Sequence, residues 1–209
     1  MSKMNWTIFS LVLLAVELLA APAGAFAQTE AGFMVNGVVS NQPNPNFFTT
    51  ATAVICPLSS CTPSAPRITH VNAGVSYEGF VAHQLVGFRA ASLSFELPVW
   101  GMPNRGTDLS NVSYSTVAVT PGFRFTFLPK ASTSPYISFG GGIVHFSGDT
   151  PSVTHAATRF GGGFDAKTPL PHLGLRIEVK DLISAHPPLL NEGGVMHNVL
   201  FGGGVLFKF

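Results

Sequence analysis

His145 and Ser147 stand two apart in Val144-His145-Phe146-Ser147, and Asp149 follows in the next stretch. In an extended chain residues two apart share a face. A His beside a hydroxyl can serve as its base. Such a nucleophile works only when base and orienting acid both lie within hydrogen-bond reach. The following segment offers Thr154, His155 and Thr158 but no acid, so Asp149 is the one carboxylate in range. The plainer reading of His145 is an interfacial side chain, apolar on one side and wet on the other.

No other constellation promises chemistry. His70, His83, His155, His172, His186 and His197 show no metal-ligand spacing, so neither a metal nor a cofactor is expected. Cys56 and Cys61, the only cysteines, lie in a Pro- and Ser-rich stretch. Two thiolates without a neighbouring His make at best half a zinc site, so a small-loop disulfide is favoured. The three GGG runs at 140–142, 161–163 and 202–204 lack the following helix and Lys of a phosphate loop. A net charge of +1, with no basic patch interleaved with aromatics, gives no reason to expect nucleic acid.

The elements that carry these residues read as strands. Charged residues are 10% of the chain, against a usual quarter, while Gly is 22 and Phe 18. Something other than water must meet much of such a surface. Beyond the first residues no run of ~20 apolar residues offers a spanning helix. The other structure that satisfies its own backbone in lipid is a closed β-barrel. Period-two alternation marks eight strands, at 31–40, 69–81, 87–99, 113–127, 135–147, 157–167, 173–183 and 195–209. Short intervals at 82–86, 128–134 and 168–172 alternate with mostly longer ones at 41–68, 100–112, 148–156 and 184–194. Tight turns at one end and long loops at the other, the long loops facing outside the cell, is how such barrels are built.

The charges sort by parity. Ser76 and Glu78 alternate with Val75 and Tyr77, and Glu96 opposes Phe95 and Leu97. Arg124 sits between Phe123 and Phe125, while Arg159, Asp165 and Lys167 oppose Phe160 and Phe164. Arg176, Glu178 and Lys180 alternate with Leu175, Ile177 and Val179. Arg89 and Asp181 break the rule near strand ends, and Val71 is assigned to the apolar face. A charge facing lipid at mid-depth costs roughly 2–4 kcal/mol. A soluble sandwich or lipocalin-like barrel also alternates, but it would carry more charge.

The inward set predicts a hydrated ion-pair core of Glu78, Glu96, Arg124, Arg159, Asp165, Arg176, Glu178 and Lys180. Two glycines of each GGG run point inward, as floors for the long side chains of 173–183. Folding 157–167 against 173–183 about Pro169 to Pro171 sets Asp165 opposite Arg176. An eight-stranded barrel is just wide enough to be filled by such side chains. The alternative use of the same residues is the lining of a narrow pore.

Residues 1–27 read as a cleaved export signal, with Lys3, an apolar run from Ile8 to Ala21 and Ala25-Phe26-Ala27 before Gln28. An uncleaved anchor is the lesser reading, because Glu17 interrupts the run. The mature domain is then 28–209.

At Gly204, Phe207 and Phe209 the chain resembles the C-terminal assembly signal of Gram-negative outer-membrane barrels, with Gly202 where that pattern carries a polar residue. Val119-Thr120-Pro121-Gly122-Phe123-Arg124-Phe125, Ser134 to Gly142, and Phe160 to Asp165 continuing through Leu175 to Asp181 resemble small porin-like outer-membrane β-barrel proteins. With His197-Asn198 the similarity covers about residues 113 to 209. It implies an all-β, transmembrane, antiparallel up-and-down barrel in the outer membrane. Its partners would be membrane lipid and, through the last strand, the barrel-assembly machinery. His145 and Ser147 resemble the pair of outer-membrane lipid-A deacylases, although there the pair lies near the C-terminus. The expected role is non-enzymatic: a structural or surface-interaction barrel whose loops meet an extracellular ligand. A narrow porin is the alternative, and a lipid-modifying enzyme the weaker one.

Overall fold

The computed structural model describes residues 28–41, 71–107, 112–149, 151–185 and 195–209. Residues 1–27, expected to be an export signal, and the stretch expected to hold a Cys56–Cys61 disulfide lie outside these residues. Nine strand segments follow one another: β1 Thr29–Asn41, β2 Gly74–Gly87, β3 Ala91–Gly106, β4 Ser113–Val119, β5 Gly122–Phe127, β6 Thr133–Gly148, β7 Val153–Lys167, β8 Leu173–Ala185 and β9 Val195–Lys208. Every pairing is antiparallel, strands pair with their sequence neighbours except β4 with β5, and β1 pairs with β9 to close the cylinder.

Nine segments make eight staves. Both β4 and β5 pair with β3 on one side and β6 on the other, so they are one stave broken at Thr120-Pro121. Pro121 has no N–H to give a ladder. The gap is bridged by Thr120 N–H donating to the Pro98 carbonyl at 3.4 Å and Gly141 N–H to the Pro121 carbonyl at 3.0 Å.

The turn expected at 82–86 is strand. His83 pairs with Thr29, and Gln84 N–H donates to the Gln28 carbonyl at 2.9 Å, so these polar residues are held by β1. A register shift between Gln84 and Val86 lets the strand continue to Gly87. The turn is 88–90, and Arg89 sits in it rather than in a strand. At the far end β3 runs to Gly106, seven residues into the expected loop. Val71 is also corrected: it bridges Thr107 and is buried inside the barrel, not on its outer face.

Parity gives the barrel two skins. Outward lie Phe33, Val35, Val75, Tyr77, Ile137, Phe139, Phe160, Ile177 and Phe201, all more than two-fifths exposed. Cross-strand rings stiffen this skin: Phe123 lies 5.9 Å from both Phe95 and Phe139. Among the described residues one charged side chain, Asp181, stands on the wall, and His197 meets it at 2.6 Å. Such an exterior is wetted by lipid, not by water. The fold is a closed, transmembrane, antiparallel β-barrel.

Candidate functional site: the filled lumen

Inward residues of all eight staves meet on the barrel axis, and the strands dictate their height. β1 and β8 rise from the short-turn end with Glu30 and Arg176 low, while β7 and β9 descend to Asp165 and Lys208. Low in the barrel, Arg176 donates from Nε to Asp165 Oδ1 at 2.7 Å and from Nη2 to Oδ2 at 2.9 Å. Its Nη1 reaches Glu96 Oε2 at 3.2 Å. The guanidinium lies between the rings of Phe80 and Tyr136, at 4.4 and 4.7 Å. Glu96 also accepts from Arg159 Nη1 at 2.7 Å and Arg124 Nη1 at 3.4 Å. Arg124 turns its other nitrogen to Glu30, whose second oxygen lies 3.2 Å from Lys208 Nζ.

Beside this cluster Lys180 Nζ lies between Glu78 Oε1, at 2.8 Å, and Glu178 Oε1, at 2.7 Å. Tyr136 donates its hydroxyl to Glu178 Oε2 at 2.6 Å. The charges balance. Five buried acids (Glu30, Glu78, Glu96, Asp165, Glu178) are matched among the described residues by five buried bases (Arg105, Arg124, Arg159, Arg176, Lys180). Unpaired ions in so dry a place would each cost several kcal/mol, on the order set by desolvation.

Glycine makes room for these long chains. Arg176, Glu178 and Lys180 pair with Gly204, Gly202 and Leu200 on β9, and Glu178 and Lys180 with Gly163 and Gly161 on β7. A Cβ at Gly161 would stand 2.6 Å from Lys180 Cγ, and one at Gly163 2.9 Å from Glu178 Cα. The two glycines of β9 face instead the backbone and side chains of β1 at Met34 and Asn36.

The outer half of the lumen is not the hydrated ion core that parity suggested. Trp100, Met102, Tyr114, Ala118, Val144, Phe146, Leu182, Met196 and Leu200 form a buried apolar stratum with Val38 and Val71. The charged side chains lie below it and reach its lower edge, where Glu78, Arg159 and Lys180 pair across strands with Trp100, Leu182 and Leu200. The pattern was present in the sequence, since Trp100 and Met102 lie four and six residues beyond Glu96 on the same face. Above, Arg105 donates to Asn198 Oδ1 at 2.9 Å and to the Asn72 carbonyl at 2.8 Å, and Ser40 donates to the same Asn198 at 2.5 Å.

Glu30, Tyr136, Arg105 and Lys208 belong to these networks without having been expected there. Extending the alternation of β1 back by one step from Gly32 reaches Glu30. Arg105 was hidden because its segment reads as loop. Lys167, assigned inward by parity, is exposed at the short-turn end, where Nζ donates to the Lys130 carbonyl at 2.6 Å.

On the outer wall His145 Nδ1 meets Thr154 Oγ1 at 2.8 Å. Asp149 is engaged elsewhere, accepting from Ser113 N–H and Oγ at 3.0 Å each. His145 thus has a hydroxyl but no acid, and His197 has Asp181 but no hydroxyl among the described residues. Neither pair is completed to a nucleophile, base and acid among the described residues. Gly204 faces the lumen, whereas Phe207 and Phe209 are exposed at the β9–β1 seam.

No protein-family model and no curated protein sequence matches the chain. Solved structures do. Ail, the attachment invasion locus protein of Yersinia pestis, in complex with the heparin analogue sucrose octasulfate, aligns with a TM-score of 0.47 at 10% identity, over 88% of this chain and 97% of that one. Neisserial surface protein A aligns at 0.48 and 7%, over 90% and 100%. The outer membrane enzyme PagL aligns at 0.47 and 12%, over 86% and 98%. At these identities and TM-scores the alignments say nothing of role, and the barrel stands on the chain's own closed ladder of strands.

Proposed function

We propose that the protein is a non-conducting outer-membrane barrel that presents a surface outside the cell. The observation that supports this reading is the two-level seal of its lumen. An ion moving along the axis would have to break the Glu96–Arg124–Arg159–Arg176 cluster and then cross the stratum of Trp100, Phe146 and Leu182. A hydrophobic constriction alone can stop conduction by dewetting. Both described ends of the barrel chain, Thr29 and Phe209, lie at the short-turn end, with a backbone hydrogen bond of 2.8 Å between them. The short-turn end then faces the periplasm, and the opposite end, where β1, β3, β6 and β8 finish, faces outward.

In this reading residues 1–27 are removed on export, and a Cys56–Cys61 bridge stiffens the longest outer connection. Gly204, Phe207 and Phe209 on the closing strand are the contact for the assembly machinery. The outer connections are the surface on which an extracellular ligand would act. His145→Ala and Ser147→Ala variants are expected to leave lipid A composition unchanged, read by mass spectrometry of extracted lipid. Loss of a lipid product in either would support the enzyme instead.

Planar-bilayer recording tests the seal. The purified protein is expected to give no steady open steps. Reproducible steps that scale with salt would establish the narrow porin in its place.

A further inference from the structure

The cations that remain outside the lumen among the described residues are all at one end. Among the described residues every Lys and Arg is either buried inside the barrel or set on the short-turn rim, while the two acids outside the lumen, Asp149 and Asp181, lie toward the opposite end. The rim repeats one arrangement at its three turns and at the β9–β1 seam. Between β2 and β3 it presents Phe88, 67% exposed, beside Arg89. Between β5 and β6 it presents Leu128, 55% exposed, near Lys130. Between β7 and β8 come Lys167 and Leu170, 61% exposed, and at the β9–β1 seam Lys208 and Phe209, 75% exposed. No exposed acid interrupts this series among the described residues, since Glu30 and Asp165 are buried.

The rim is also rigid. Leu128 N–H donates to the Ala90 carbonyl at 2.8 Å, Lys167 Nζ to the Lys130 carbonyl at 2.6 Å, and Lys208 N–H to the His172 carbonyl at 2.8 Å. Neighbouring turns are thereby tied together. A cavity of about 290 Å³ opens at this end, with Ser134, Asp165, Lys167, His172 and Lys208 among the residues that line it, Asp165 being held by Arg176.

An apolar side chain beside a long cation suits the boundary between acyl chains and headgroups. The apolar group sits among the chains while the cation reaches the charged layer. We propose that this rim binds the phosphates of anionic glycerophospholipids in the leaflet it meets, with the Lys167–Lys208 cavity as its deepest seat. Charge complementarity selects that occupant, because four cations, one of them shared with Glu30, with no exposed acidic side chain beside them among the described residues favour a lipid of net negative charge over a zwitterionic one. The proposal rests on the barrel spanning a bilayer, but not on which membrane that is.

The test is electron paramagnetic resonance of the protein in phosphatidylcholine vesicles doped with spin-labelled phosphatidylglycerol or spin-labelled phosphatidylcholine. The motionally restricted fraction reports lipid association. A preference for phosphatidylglycerol of about fivefold at low salt is expected, the effect of one cation near one headgroup. It should fall below about twofold near 1 M salt, where screening is nearly complete. In R89Q/K130Q/K167Q, which leaves the Lys208–Glu30 pair intact, it should fall similarly at low salt. Equal association of the two lipids overturns the proposal, as does a preference that survives high salt. A preference that the triple variant retains has the same consequence. An inserted, heat-modifiable barrel without selectivity would defeat the rim while leaving the barrel standing.

Discussion

Arg176 is the side chain on which most of the lumen converges. Its fork grips Asp165, one nitrogen reaches Glu96, and two rings cover its faces. A buried network of this kind is weak evidence of net stabilisation over an apolar core, but breaking one member is costly. Arg176→Met leaves Asp165 with only Arg124 Nη1, at 3.9 Å, and should lose about 3–5 kcal/mol in urea unfolding from lipid vesicles. Arg176→Lys should lose much of this too, because an ammonium cannot replace a planar fork. Adding Asp165→Leu to Arg176→Met should recover a part, measured as a coupling of roughly 0.5–3 kcal/mol. Additive losses would mean that the two residues do not act as a pair. Eight charged residues of the network could be read from parity, because lipid forbids charge on the other face, whereas Glu30 and Arg105 lay outside the alternation the sequence showed. Tyr136 could not: as an amphipathic residue it is at home on either face.

At the scale of the strand, β7 and β8 form a matched pair in which one chain gives up side chains so that the other can keep long ones. Lys180 Cγ lies where a Cβ of residue 161 would be, with the Val179 carbonyl and Lys180 Cα also close. Gly161→Val should therefore be overpacked and lose roughly 1–3 kcal/mol in the same unfolding assay, despite the strand propensity of valine. Gly141 has only the Ala157 carbonyl, at 3.8 Å, near the same position. Gly141→Val is then the control and should cost little. Equal effects at both positions would contradict the packing described. Strand existence was legible, since period two survives in every stave. Boundaries were not, and the reason differs by place. His83 and Gln84 look like turn residues but are claimed by β1, while 100–106 looks like loop because Pro103 and Asn104 interrupt its alternation.

Taken whole, the molecule is a cylinder with three chemistries: an apolar outside, an axis of paired ions below, and an apolar stratum above them. The outside and the ions follow from one rule, the cost of charge in lipid, which is why the sequence revealed both. The apolar stratum obeys no such rule. Inward positions accept polar or apolar residues alike, and only the heights at which Trp100, Tyr114 and Phe146 meet show that they pack together. The most direct test uses single cysteines at Phe164, Ile177 and Ser138 in a C56S/C61S background. Each would carry a spin label in bilayers, with collision rates read against oxygen and a water-soluble nickel chelate. The account predicts that labels at 164 and 177 collide with oxygen and not with nickel, and that 138 is shielded from both. Nickel access at 164 and 177 would remove the lipid face, and nickel access at 138 would open the lumen.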